Sequence, residues 1–167
     1  MEEPAPGREL AAALAVARRR ATRDGDGQTD TAHLLHALLE ADPAVRDAVP
    51  GGPHQVARLL GYLVQRAIGY GLRWKGAVEE SGAPPVPPGT APGWSPAAAG
   101  ALRLARARAR TRGAAALTGP DVLGALVADP RCRAVDVLRR AGADTAALAV
   151  RLEEIQGPAP AECASRP

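Results

Sequence analysis

The sequence predicts an all-α fold in which two pseudo-symmetric four-helix repeats pack as one domain. Three observations carry that prediction. Hydrophobic residues make up 46% of the 167, yet aromatics reach only 2% and Phe is absent. The core must therefore be built from Ala, Leu and Val, and Ala and Leu favour helices over strands. Apolar residues recur at spacings of three and four along most of the chain, the period of helices with one buried face. Finally, a shift of 88 residues superposes the two halves: Ala11, Leu14, Ala17, Arg18, Arg20, Ala21 and Gly25 fall on Ala99, Leu102, Ala105, Arg106, Arg108, Ala109 and Gly113, and Leu35, Ala37 and Leu38 on Leu123, Ala125 and Leu126. The register survives a glycine break between two helices, which an excess of Ala and Arg alone would not preserve. Each repeat leaves an apolar face open, so the halves should pack against each other.

The elements follow in order. The first helix starts near Arg8, puts Leu10, Leu14, Ala17 and Ala21 on one face, and ends at Asp24-Gly25-Asp26-Gly27. The second opens on Asp30 or Thr31 as N-cap and runs to the stop at Asp42-Pro43. Ala44 to Val49 is a short helix, and His54 to about Arg73 is a long amphipathic one. Residues 76–93 hold five prolines and four glycines and read as a linker or long loop. Ser95 as N-cap with Pro96 at the first helical position opens the next helix, whose apolar face is Leu102, Ala105 and Ala109 and which stops at Gly113. Asp121 to Ala128, Ala134 to Arg140 and Thr145 to Ile155 complete the set. The resulting organisation is a disordered N-terminus at 1–7, repeat one at 8–75, the linker at 76–93, repeat two at 94–155 and a disordered tail at 156–167.

Several function classes are excluded. The one lysine, Lys75, is followed by Gly76 and Ala77 rather than Ser or Thr, so no Walker A loop exists. The three serines lack a Gly-x-Ser-x-Gly setting. The net charge is +3, with the basic excess in the second half: residues 95–167 carry 11 Arg against 7 acids, whereas residues 1–60 carry 7 against 9. Two cysteines, Cys132 and Cys163, are too few for a disulfide framework and fit a reducing compartment. The acidic, Pro-rich start is unlike a signal peptide, and no apolar run approaches ~18 residues, so the expected location is the cytoplasm.

Three stretches resemble a known family. Thr31-Ala32-His33-Leu34-Leu35-His36-Ala37-Leu38-Leu39 is similar to a Thr-Glu-His-Leu-Leu-x-Ala-Leu-Leu helix start. Trp94-Ser95-Pro96 with Leu102, Ala105 and Ala109 is similar to an aromatic-Ser/Thr-Pro opening of a second repeat. Asp121-Val122-Leu123-Gly124-Ala125-Leu126, followed by Val135, Leu138, Gly142 and Leu148, has the helix, helix, glycine, helix order of a repeat's end. Together they resemble the N-terminal double-repeat domain of the Clp unfoldases, closest to the ClpC and ClpA type, over about residues 8–155. The resemblance implies a double Clp-N fold that binds substrates, adaptors or peptides for a Clp protease, with no catalysis and no cofactor of its own. Expected partners are Clp ATPase or protease subunits, their adaptors and their substrates. Some relatives hold phosphorylated arginine with a Glu in each repeat's motif, but those positions are Ala32 and Pro120 here, which can neither carry charge nor accept from a guanidinium. The resemblance therefore does not extend to phosphoarginine. The family's ATPase part does not appear in this sequence, so a stand-alone N-domain is expected.

Candidate sites are few. His33 and His36 lie one turn apart and could share a metal, but zinc needs three or four ligands and no nearby Cys or second His pair is visible, so structural roles are expected and no metal site. Cys132, between Arg131 and Arg133, could have a lowered pKa, yet no His or acid is spaced to form a catalytic pair with it. Arg103, Arg106 and Arg110 share a face of the first helix of repeat two, while Arg108 and Arg112 lie toward its apolar side. They raise a nucleic-acid alternative, although no aromatic residue is interleaved for base stacking. Trp74 and Trp94 flank the linker and either line a groove or pack the linker down. The expected binding surface is a seam between the two first helices, Leu10 to Arg20 and Ala98 to Arg108, drawing on Trp94, Arg103, Arg106, Arg110, Leu10 and Leu14. The expected function is a non-catalytic regulator, adaptor or decoy of a Clp protease system.

Overall fold

The computed structural model describes residues 2–66, 79 and 93–157. Among them are α1 (Arg8–Arg23), α2 (Thr31–Ala41), α3 (Pro43–Ala48), α4 (Gly52–Gln65), α5 (Pro96–Thr111), α6 (Gly119–Val127), α7 (Arg133–Arg140) and α8 (Thr145–Gln156). The all-α expectation holds. The continuation of α4 toward Arg73, most of the linker, Trp74 and Cys163 fall outside the described residues.

Local chemistry sets the helix ends. The Asp30 carboxylate accepts from the His33 backbone N–H, and the Asp30 N–H donates back to His33 Nδ1 at 3.1 Å, a reciprocal box that fixes the start of α2. Thr118 and Asp121 build the same box at α6. The Ser95 and Asp144 side chains cap α5 and α8 by accepting from Ala98 and Ala147. Gly25 and Gly113, 88 residues apart, share φ 69°. Each is followed by an amide that closes back on its helix, Asp26 N–H on Ala21 O and Ala114 N–H on Ala109 O.

The duplication is therefore structural, and the two repeats are laced together. Gly7 and Ala5 pair with Leu117, while Ser95 and Gly93 pair with Thr29 in the same pattern. The segment ahead of each repeat's first helix thus binds the loop ahead of the other repeat's second helix. Residues 5–7 belong to this lacing, in contrast to the disordered N-terminus expected at 1–7. Gln156 likewise belongs to α8 rather than to a tail.

The core sits around α2, whose residues Thr31 to Leu39 are all buried. A helix buried on every side lies at the centre of a fold. The twelve largest fully buried side chains are all leucines, as a chain without Phe requires, and each contributes about 2 kcal/mol of burial. α1 packs on α2 and α5 on α6, while α2 with α7, α3 with α6 and α4 with α7 join the repeats. The seam is thus built mainly from α2, α3 and α4 of repeat one against α6 and α7 of repeat two, with α5 touching α2, rather than from the two first helices as the sequence suggested. At one such contact a Cβ on Gly119 would lie 2.1 Å from Asp42 Oδ2, so α3 and α6 approach as only glycine allows.

Candidate functional site

The residues expected to bind are distributed as follows. Leu10 is 1% exposed and belongs to the core, which removes it as a contact residue, and Leu14 is half-buried against that core. Trp94 is half-buried in the bridge to Thr29, with the Arg18 guanidinium 4.9 Å from its ring centre, a cation–π contact joining α1 to the start of α5. Arg103 and Arg110 are exposed on α5 and Arg106 is half-buried. α5 contains no acidic residue, and among the described residues no carboxylate forms an ion pair with these three arginines. Arg112 instead donates to Asp121 at 2.6 Å. Leu104, beside Arg103, is an exposed large apolar side chain. The outer face of α5 is thus a row of guanidiniums with one apolar contact among them, suited to carboxylates on a polypeptide.

A second polar feature is a buried hub. Glu79, from the stretch read as linker, is buried where the heads of α2, α5 and α7 meet. It accepts from Thr31 N–H at 2.8 Å, Arg133 N–H at 2.7 Å, Ser95 O–H at 2.8 Å and the Thr31 hydroxyl. One carboxylate thereby satisfies the first amides of two helices and the cap of a third. Asp30 lies beside it, ion-paired to Arg66 at 2.5 Å and Arg133 at 3.0 Å. Burial alone would raise the Asp30 carboxyl, but the His33 hydrogen bonds and the Arg66 guanidinium outweigh it and hold the group well below the usual carboxylate range.

The remaining candidates take other places. His36 does not share a centre with His33: it faces Glu40 at 3.1 Å, and Arg20 holds the other oxygen of Glu40 at 2.9 Å. Burial, aided by Arg20, pushes the His36 imidazole down to about 4. Cys132 is the N-cap of α7, and burial pushes its thiol up to about 11, the reverse of an activated cysteine. Ala32 and Pro120 are both buried at the heads of α2 and α6. A groove of about 700 Å³ opens beside Pro120, lined among others by Glu9, Asp42, Arg112 and Asp121. Two features were missed by sequence reasoning: Glu79, hidden by its Pro/Gly surroundings, and the convergence of Asp24 and Asp26 on His33.

No protein-family model matches the sequence, and no curated protein sequence matches it. Solved structures do. The chain is similar to the Hsp104 N-terminal domain from Candida albicans, with a TM-score of 0.66, 15% identity and 92% of each chain covered. It is similar to a structure from a malarial protein secretion system, with a TM-score of 0.62, 16% identity, 90% of this chain and 94% of that one. It is also similar to the N-terminal domain of the caseinolytic protease associated chaperone ClpD from Arabidopsis thaliana, with a TM-score of 0.60, 17% identity, 88% of this chain and 94% of that one. The fold is that of a Clp-type N-terminal domain. Among the described residues no helix is long and apolar enough to cross a membrane.

Proposed function

We propose that the chain is a non-catalytic protein- or peptide-binding module that acts on a Clp-type protease system as a regulator, adaptor or decoy. One observation carries the reading. The chain and N-terminal domains of Clp-type chaperones share a fold over about 90% of both lengths, while the outer face of α5 presents guanidiniums that pair with no carboxylate among the described residues. A binding domain acts through occupancy, so its effect scales with concentration and affinity. Its ligands are the adaptors, substrates or peptide-like molecules that a Clp N-domain takes, or the Clp subunits themselves. With Ala32 and Pro120 buried and uncharged, the reading assigns no role to phosphoarginine.

The test is a pull-down from native lysate with the full chain as bait. Trp94→Ala removes the ring that Arg18 covers, Arg106→Glu probes a half-buried position on α5, and Arg103→Glu and Arg110→Glu probe exposed positions on that helix. Recovery of Clp subunits, or of their adaptors or substrates, with loss in the α5 variants supports the reading. Recovery of nucleic acid alone, released by salt, would favour the alternative in which the α5 arginines contact phosphates.

A further inference from the structure

We propose that Asp24, Asp26 and His33 form a binding site for a divalent first-row transition cation, with Zn2+ as the representative. Asp24 caps the C-terminus of α1, and Gly25 at φ 69° turns the chain so that both carboxylates approach the first turn of α2. There the His33 side chain is 1% exposed, and its Nε2 lies 2.8 Å from Asp26 Oδ2 and 3.6 Å from Asp24 Oδ2. Despite these distances Nε2 makes no hydrogen bond to either oxygen. The three ligand atoms lie within 4.8 Å of one another. Ligands about 2.0–2.1 Å from a tetrahedral metal are roughly 3.3 Å apart, within the spread of these spacings.

Comparison of the repeats points the same way. In the 88-residue register Asp24, Asp26 and His33 correspond to Arg112, Ala114 and Asp121. Repeat two places a cation at this corner, the Arg112 guanidinium on Asp121. Repeat one places an acid where that arginine stands, adds a second acid, and turns an imidazole nitrogen toward both. The carbonyl end of α1 adds further negative potential there. One imidazole and two carboxylates suit zinc or its neighbours rather than Ca2+ or Mg2+, which require more oxygen ligands. The outer support exists as well: His33 Nδ1 lies 3.0 Å from Asp30 Oδ1, and Asp30 is anchored by Arg66 and Arg133. A metal on Nε2 requires the ring proton on Nδ1, where it donates to Asp30 Oδ1 and ends the bond that Nδ1 accepts from the Asp30 N–H. The tautomer of His33 is therefore the signature of occupancy.

The experiment titrates Zn2+ into the full chain by calorimetry and follows the imidazole nitrogens by NMR. One equivalent should bind and the His33 ring proton should move from Nε2 to Nδ1. Asp26→Asn, at a side chain 38% exposed and outside the packing, should weaken binding at least tenfold and leave the circular dichroism unchanged. His54→Gln and Cys163→Ser should leave binding as it was. The proposal is overturned if Asp26→Asn binds as well as the parent, or if Cys163→Ser abolishes binding, since the metal then sits elsewhere. It is equally overturned if added Zn2+ leaves the His33 resonances unmoved, because the metal then does not reach Nε2.

Discussion

Replacing Glu79 with Ala should destabilise the domain more than any change at an exposed acid. The carboxylate is buried and accepts from two backbone amides, Thr31 and Arg133, and from two hydroxyls, Ser95 and Thr31. The hydroxyls have other partners: Ser95 Oγ also accepts from Ala98 N–H and Thr31 Oγ1 from Ala134 N–H. The two amides are left in a buried void, each at about 1–3 kcal/mol, so the net loss after water enters should be about 3–4 kcal/mol. At roughly 2–4 °C per kcal/mol for a chain of this size, Tm falls by about 6–16 °C. Glu79→Gln should not rescue, because its amide NH2 turns a donor toward donors. Urea unfolding followed by far-UV circular dichroism measures both variants, with Glu153→Ala at an exposed position as the control. A Glu79→Ala loss below about 0.5 kcal/mol at unchanged m-value would refute the reasoning, since Glu79 would then not hold the heads of α2 and α7 together.

Three further expectations follow from single residues. The folded chain keeps His36 neutral down to about 4, whereas an unfolded His protonates near 6.5; its contribution is present above that value and is lost as pH falls from there toward 4, by about 3 kcal/mol, and His36→Gln should flatten that limb of the stability profile. Gly119→Ala should cost about 2–4 kcal/mol by driving a methyl into Asp42 and Val45, whereas Gly61→Ala in α4, where a Cβ meets nothing within 4 Å, should stabilise by about 0.5–1 kcal/mol; equal effects in thermal melts would contradict the close approach of α3 and α6. Cys132, buried with its thiol pushed up to about 11, should resist iodoacetamide until urea unfolds the chain, and rapid alkylation of the native protein, mapped by mass spectrometry, would count against its placement.

The helices were legible because their caps and stops are local. Asp30, Asp42-Pro43, Ser95-Pro96 and Gly113 act on backbone groups within a turn of themselves, so sequence order is enough to place them. The repeat was legible because the loop glycines keep the same backbone conformation in both halves. The pairing of helices was less so: periodicity shows that the first helices each have an apolar face but not which helix covers it. The signal that α2 lies at the centre was present in the nearly unbroken apolar run from Leu34 to Leu39, which leaves it no solvent side. Leu10 reads from the sequence as part of a binding surface, although its spacing with Ala13 and Ala17 is that of a core stripe. Glu79 was illegible for a different reason: its donors come from Thr31, Ser95 and Arg133, far apart in sequence, and its neighbours have a linker's composition. Helical spacing relates His33 to His36, while its neighbours in space, Asp24 and Asp26, lie across the reversal between α1 and α2.

The proposed role is tested most directly by following degradation of a fluorescent substrate by a reconstituted Clp ATPase and protease as the full chain is added. The account predicts a saturable change in rate, a fall for a decoy or a rise for an adaptor, that is lost when Arg103 and Arg110 are both replaced by Glu. A rate that stays flat at large molar excess of the folded chain would contradict it.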